Sequence, residues 1–372
     1  MKLYLPADAP HLETILAAYT FPVPPVAAVH YGCGHINDTY CVLCQPQEGD
    51  CIRYILQGLS QAAFPDQDVV MDNFEKITTF LRQKLTDLGE DASRGTLSLI
   101  PTTDGKSYYT DANGRAWRLM PYIEGTDCIQ QATETLFAAS GRAFGRFQAL
   151  LGDFPVDTLK ETIVKFHDTE DRFRKFRAAL AKDPLGRAKD VQSEIDFVLA
   201  REEDCGVLQS ALRAGILPLR VTHNDTKLNN VLFDRATGEG ICVIDLDTTM
   251  PGLSVNDFGD SIRFGANHSA EDEKDLSKVN FDIHLYEIYA RSFIEGARGG
   301  LTEAEHEYLP WGARLMTLEC GIRFLTDYLS GDTYFHIRYP EQNFDRCRTQ
   351  FKLVKDMEEQ FEEMHAVIRA VL

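Results

Sequence analysis

Apolar residues recur along this chain with two different periods, and the period switches once. Residues 26–57 read as strand, turn, strand, turn, strand. Val26–His30 runs into the turn Tyr31-Gly32-Cys33-Gly34-His35-Ile36-Asn37-Asp38, and Thr39–Cys44 and Ile52–Gln57 follow with Gly49-Asp50 between them. Alternation sends successive side chains to opposite faces, which suits a sheet with one face buried. Val70, Phe74, Ile77, Leu81 and Leu85 then return every three or four positions, predicting a helix over about 69–88 that Gly89 stops. Thr96–Pro101 is expected as another strand, Asp104-Gly105 and Asn113-Gly114 as hairpin turns, and Trp117–Glu124 as the strand that closes this part. From Thr133 onward helical periods prevail. One polar cluster and one apolar strand, Ile241–Ile244, interrupt them, and Phe344, Phe351, Val354, Phe361, Met364 and Ile368 mark a C-terminal helical stripe. The expected fold is α+β with two lobes, a small β-rich N-lobe over 1–125 and a larger, mainly helical C-lobe over 126–372.

Charge limits the partners. The formal net charge of −19 argues against nucleic acid and against an anionic membrane surface. No apolar run approaches the roughly 18–20 residues that span a bilayer, and the start, MKLYLPADAPHLETIL, lacks the charged-then-apolar plan of a signal peptide. Nine scattered cysteines do not suggest a disulfide framework. Cys41 and Cys44 form a CxxC, but three residues along a strand point to opposite faces, so a shared metal is not expected there. A cytoplasmic setting follows as the expectation.

The polar cluster is RVTHNDTKLNNVLFD, residues 220–234, where His223, Asp225, Asn229 and Asn230 sit between greasy segments. Next comes Ile241-Cys242-Val243-Ile244-Asp245-Leu246-Asp247, an apolar strand that delivers carboxylates at its end. Asp245 and Asp247 have the same strand parity and are expected on one face. Phosphoryl transfer needs a carboxylate near the acceptor hydroxyl and oxygen ligands for the metal on the phosphates. Asp225 suits the first task, and Asn230 and Asp245 suit the second. An isolated His-x-Asp more often marks turn residues beside a core histidine; the acidic strand and the β-rich half upstream favour the kinase reading. Tyr31-Gly32-Cys33-Gly34-His35 lies where a phosphate-covering loop belongs, between the first two strands, which puts Gly32 and Gly34 near the nucleotide. Asp257-Phe258-Gly259 spells a protein-kinase metal motif but follows Asp225 by 32 residues and a Pro251-Gly252 turn, so the metal is assigned to Asp245 instead.

HNDTKLNN, VIDLD and NDFGDS, together with YGCGHIN, RYILQ, FGDSIRFGA, EDEKDLSKV and ECGIRFLTDYLSGDTYF, resemble the aminoglycoside phosphotransferase and choline kinase-like superfamily. Within it the likeness is greatest to the N-acetylhexosamine 1-kinases, and it covers most of the chain. The resemblance implies a protein-kinase-like fold, ATP as co-substrate, Mg2+, and transfer to the anomeric hydroxyl of GlcNAc or GalNAc. It implies Asp225 as catalytic base, Asn230 and Asp245 as metal ligands, and a sugar pocket of His35, Phe264, Arg323 and Tyr334. Arg323 is alternatively a structural partner of Glu319 one turn earlier, and Phe264 alternatively plain core. The partners expected are a small sugar and ATP, and the assembly a monomer. Gln57 stands on the third strand where protein kinases carry a phosphate-binding lysine. Arg53 is a weak substitute, and Glu75 on the first helix has no obvious lysine partner. Adenine is expected at Met120-Pro121-Tyr122-Ile123, through Met120 and Tyr122. Three other readings stay open: a kinase for another small alcohol such as an aminoglycoside, choline or homoserine; a hydrolase with His223, Asp225, Asp245 and Asp247 on a metal; and a pseudokinase.

Overall fold

The computed structural model describes residues 3–32, 36–131 and 133–372. The chain divides into two compact units, one of Met1–Thr126, Leu159–Ile163 and Ile241–Thr249, the other of the remainder.

The first unit is built on an antiparallel sheet. Its strands are β1 (Pro25–His30), β2 (Asp38–Cys44), β3 (Ile52–Gly58), β4 (Tyr109–Thr110) and β5 (Ala116–Pro121), in the order β1-β2-β3-β5-β4. Gln57 lies opposite Thr39 on one side and Arg118 on the other. Helix α1 (Leu12–Leu16) packs Leu12, Ile15 and Leu16 with Tyr40, Val42, Leu56, Trp117 and Leu119 of the sheet. Helix α2 (Gln67–Asp87) starts at Asp66, whose side chain accepts the Val69 N–H, and buries the expected stripe of Val70, Phe74, Ile77, Leu81 and Leu85. Gly89 follows it at φ 73°, the left-handed conformation that ends helices. The short helix α3 (Ala92–Gly95) comes next. Thr96–Pro101 does not form the expected strand, and only Ile100 bridges to Leu119. The later apolar strand, β9 (Gly240–Val243), ends one residue earlier than the sequence suggested. Asp245 then turns into the left-handed region at φ 60°, ψ 53°, and Leu246–Thr248 is a single 3-10 turn. Asp245 and Asp247 therefore do not share a strand face, contrary to their parity.

The second unit is helical. It holds α4 (Glu134–Leu150), α5 (Thr169–Lys182), α6 (Gln192–Leu199), α7 (Val207–Arg213), α8 (Ser254–Gly265), α9 (Ile283–Ala297), α10 (Glu303–Ser330), α11 (Gln342–Glu359) and α12 (Phe361–Val371). Short strands β6 (Thr126–Cys128), β7 (Arg220–Thr222), β8 (Val231–Asp234) and β10 (Met250–Gly252) interrupt it. Pro251 and Gly252 are not a turn: β10 pairs with β7, with Pro251 opposite Val221. The C-terminal stripe belongs to two helices, since the chain breaks at Gln360. No helix among the described residues is long and apolar enough to cross a membrane, and every described cysteine is free.

Candidate active site

Asp225 follows β7 by three residues, in a loop whose backbone is pinned from below. Its own N–H donates to His223 Nδ1 at 3.2 Å. His223 is fully buried, with its ring edge-on to Phe144 and Phe147, so it is a core histidine that shapes the loop. One carboxylate oxygen of Asp225 takes Lys227 Nζ at 2.7 Å, and the other takes Asn230 Nδ2 at 3.1 Å. Asn230 Nδ2 also donates to the Asp225 carbonyl at 2.8 Å. That fixes the amide's orientation, and no donor among the described residues reaches Asn230 Oδ1. The Asp225 side chain is 24% exposed. Partial burial would raise its pKa, but the positive charge of Lys227, the His223 ring and the Asn230 amide hold it below the ordinary carboxylate value. Lys227 was missed by the sequence reading, although it stands two residues after Asp225.

Helix α8 supplies the pins. Asp257 is 1% exposed and accepts the His223 N–H (2.9 Å), the Asn224 N–H (2.8 Å) and Gln148 Nε2 (2.6 Å). Burial pushes its pKa up against the pull of His223 and these donors. Asp260, one turn on, accepts the Thr226 N–H at 3.0 Å and pairs with Arg263. Phe258 is fully buried among Tyr286, Tyr289 and Phe293. A Cβ on Gly259 would come 2.2 Å from the Gly312 carbonyl oxygen of α10. The Asp257-Phe258-Gly259 triplet is thus architecture, each residue for its own reason. A second support was also missed. His167 bridges Glu319 and the loop, with Nδ1 2.9 Å from Glu319 Oε1 and Nε2 3.0 Å from the Asn224 carbonyl oxygen. Asn224 itself stands at φ 65°, next to Asp225.

In the first unit, Gly32 has φ 81°, a conformation open to glycine. Gly34 and His35 lie outside the described residues. Met120 is buried at the end of β5, and the Tyr122 hydroxyl is 2.9 Å from that of Tyr31. Arg53 is unsuited to phosphates, because it pairs with Glu124 and covers the Tyr122 ring at 3.9 Å. Glu75 pairs with no cation among the described residues; the Ser107 hydroxyl donates to it. Asp247 is 1% exposed and bound to Arg118 and Asn37. With His223 in the core and Asp247 occupied, the hydrolase reading loses two of its four metal ligands.

The acceptor residues fall into two groups. Arg323 on α10 lies 5.2 Å from the Phe166 ring centroid, 5.9 Å from Tyr334 and 5.5 Å from Phe335. It makes no hydrogen bond or ion pair with any described residue. Its expected partner Glu319 is spent on His167 and on Thr169 Oγ1 at 2.9 Å. Burial would raise the Glu319 carboxyl, yet His167, Arg172 and Arg323 together keep it below the ordinary value. Tyr334 is 68% exposed. Phe264 is 41% exposed rather than core, and lines a cavity of about 860 Å3 with Thr226, Leu228, Ser261, Glu271 and Gln350. Arg323 and Tyr334 are not among the residues lining that cavity.

The chain matches the phosphotransferase enzyme family, APH, over residues 104–289, half of its length. It belongs to that family. Solved structures with the same fold include an aminoglycoside phosphotransferase from Alicyclobacillus acidocaldarius, with a TM-score of 0.55 at 12% identity over 96% of this chain and 94% of that one. A microcompartment-associated aminopropanol kinase gives 0.54 at 16% identity, over 95% and 98%. A choline/ethanolamine kinase family protein from Mesorhizobium loti gives 0.54 at 17%, over 97% and 98%. At such identities the likeness is one of fold: the protein-kinase-like α+β arrangement of a small antiparallel sheet part and a larger helical part. By that family the protein is a phosphotransferase.

Proposed function

We propose that this phosphotransferase moves the γ-phosphoryl group of ATP, with Mg2+, to the anomeric hydroxyl of an N-acetylhexosamine, GlcNAc or GalNAc. The observation that carries the acceptor class is Arg323: a guanidinium with no carboxylate partner among the described residues, walled by Phe166, Tyr334 and Phe335. Arg172 is close enough for the two guanidiniums to repel: burial, and then the charge of Arg323, lower its pKa. A cationic acceptor such as choline is disfavoured beside them. A neutral sugar offers hydroxyl and acetamide oxygens to the guanidinium and a ring face to the aromatics.

Asn230 and Asp245 are the residues that would hold the metal. Both offer hard oxygen donors, and Asn230 keeps Oδ1 clear by spending its NH2 on Asp225. When bound, Mg2+ supplies charge neutralisation at the phosphoryl oxygens. Asp225 receives the proton of the acceptor hydroxyl as the new O–P bond forms and ADP leaves. Its lowered pKa makes it a weak base, so its main contribution is orientation. The anomeric hydroxyl suits a weak base because the ring oxygen withdraws electron density and acidifies it.

The product decides. A hexosamine 1-phosphate fails a reducing-sugar test until acid releases the phosphate, and shows phosphorus coupling at the anomeric proton in NMR. A reducing product with coupling at the C6 protons, or turnover of choline and of no hexosamine in an acceptor panel, would sink the proposal.

A further inference from the structure

Gln57 on β3 leaves the sheet without a lysine at the usual phosphate-binding place, but a cation stands one strand away. Arg118 on β5 lies opposite Gln57, 1% exposed, with its guanidinium 4.3 Å from the Phe74 ring centroid on α2. Its Nε and Nη2 donate to Gln57 Oε1 at 3.1 and 2.8 Å, and its Nη1 donates to Asp247 Oδ1 at 2.5 Å. Gln57 in turn donates to Thr39 Oγ1 at 3.1 Å. The other oxygen of Asp247 accepts Asn37 Nδ2 at 2.6 Å, and Asn37 Oδ1 accepts the Ser60 N–H at 3.0 Å. One buried carboxylate thus joins three places: the sheet centre, the residue just before β2, and the 3-10 turn that opens at Asp245.

A buried ion pair is a poor source of net stability, because desolvation offsets the attraction and apolar residues of similar size often do as well. It does hold geometry. Asp247 lies two residues past Asp245, whose left-handed backbone needs its surroundings to keep it in place. With 1% exposure and donors on all three of its nitrogens engaged, Arg118 acts through Asp247 and not on phosphate directly.

We propose that Arg118 is a positioning residue for phosphoryl transfer: through Asp247 it fixes the 245–248 turn, and with it the Asp245 carboxylate. The proposal rests on Asp245 as a metal ligand.

Mn2+–ADP binding, followed by loss of the free Mn2+ signal in electron paramagnetic resonance, tests it together with Tm and steady-state kinetics. Arg118→Lys keeps the charge but not the fork. It should weaken Mn2+–ADP binding about 10-fold or more and lower kcat comparably, leaving KM for the sugar within about twofold, as for residues that orient metal ligands. The pair Arg118→Met with Asp247→Leu removes both charges and should return Tm close to the wild-type value while Mn2+–ADP binding stays weak. Recovery of binding along with Tm in the double variant would mean that the pair is structural only. Wild-type Mn2+–ADP affinity in Asp245→Ala would instead overturn the metal assignment, and the proposal with it.

Discussion

Two neighbours, Lys227 and Asn230, hold both carboxylate oxygens of Asp225, the base in the proposed reaction. An amide at this position can keep the shape but not take a proton. Asp225→Asn should stay folded and bind nucleotide while kcat falls roughly 10²–10⁴-fold, the usual weight of a positioned acid–base group. More than about a tenth of wild-type kcat would remove the base from the mechanism. Arg323 and Tyr334 act on the acceptor alone in this reading. Arg323→Ala and Tyr334→Ala are expected to raise KM for the sugar at least about tenfold, the loss of one good polar contact, with KM for ATP within twofold. Equal changes in both constants would point to packing.

Helix α8 is the element on which the Asp225 loop is built. Asp257 serves two consecutive backbone N–H groups, Asp260 a third, and Gly259 lets α8 and α10 touch. Gly259→Ala forces a Cβ into the Gly312 carbonyl and should lose about 1–3 kcal/mol or more in chemical unfolding, the range for overpacking. A variant as stable as the parent would show that the helices part easily. Asp257→Ala strands buried N–H groups of His223 and Asn224, so its first effect is a lower Tm by calorimetry, while metal dependence of the surviving activity persists. Loss of metal dependence at unchanged Tm would make Asp257 the metal residue in place of Asp245.

At the scale of the whole molecule, acid should unfold the protein through its buried carboxylates. Glu305 is 1% exposed and bound by Arg220 and Ser254, and it completes the capping box of α10 with Thr302. Burial would raise its pKa, but these donors take it below the ordinary 4.5. Glu319 is lowered likewise. A carboxylate lowered on folding adds stability that is fully present above its unfolded pKa and lost as pH falls through the folded value. Stability should therefore decline as pH drops below about 4.5, and Glu305→Gln should flatten that decline while lowering stability at pH 7 by about 3 kcal/mol, since Arg220 is left unpaired. Denaturant midpoints across pH 3–7 for the two proteins give both quantities; an unchanged slope would contradict the assignment.

Local periodicity was enough for much of this protein. Alternation in 26–57 and the stripe on α2 are set by neighbours along the chain, and so were legible to within two residues. The clustering of Asp225 and Asn230 was legible too, because only five residues separate them, whereas the hydrogen bond between them was not. Where distant contacts decide, the sequence was silent or misleading. Thr96–Pro101 has strand-like composition, but only Ile100 bridges to a neighbour. Asp245 and Asp247 share a parity that a left-handed backbone cancels. The cation that stands beside Gln57 lies 61 positions away, on β5, and its counter-ion 129 positions from that cation, in the 3-10 turn after Asp245. Hydrogen bonds and charge act through space at a few ångströms, and only the folded chain brings Arg118, Asp247, His167 and Glu319 within that reach.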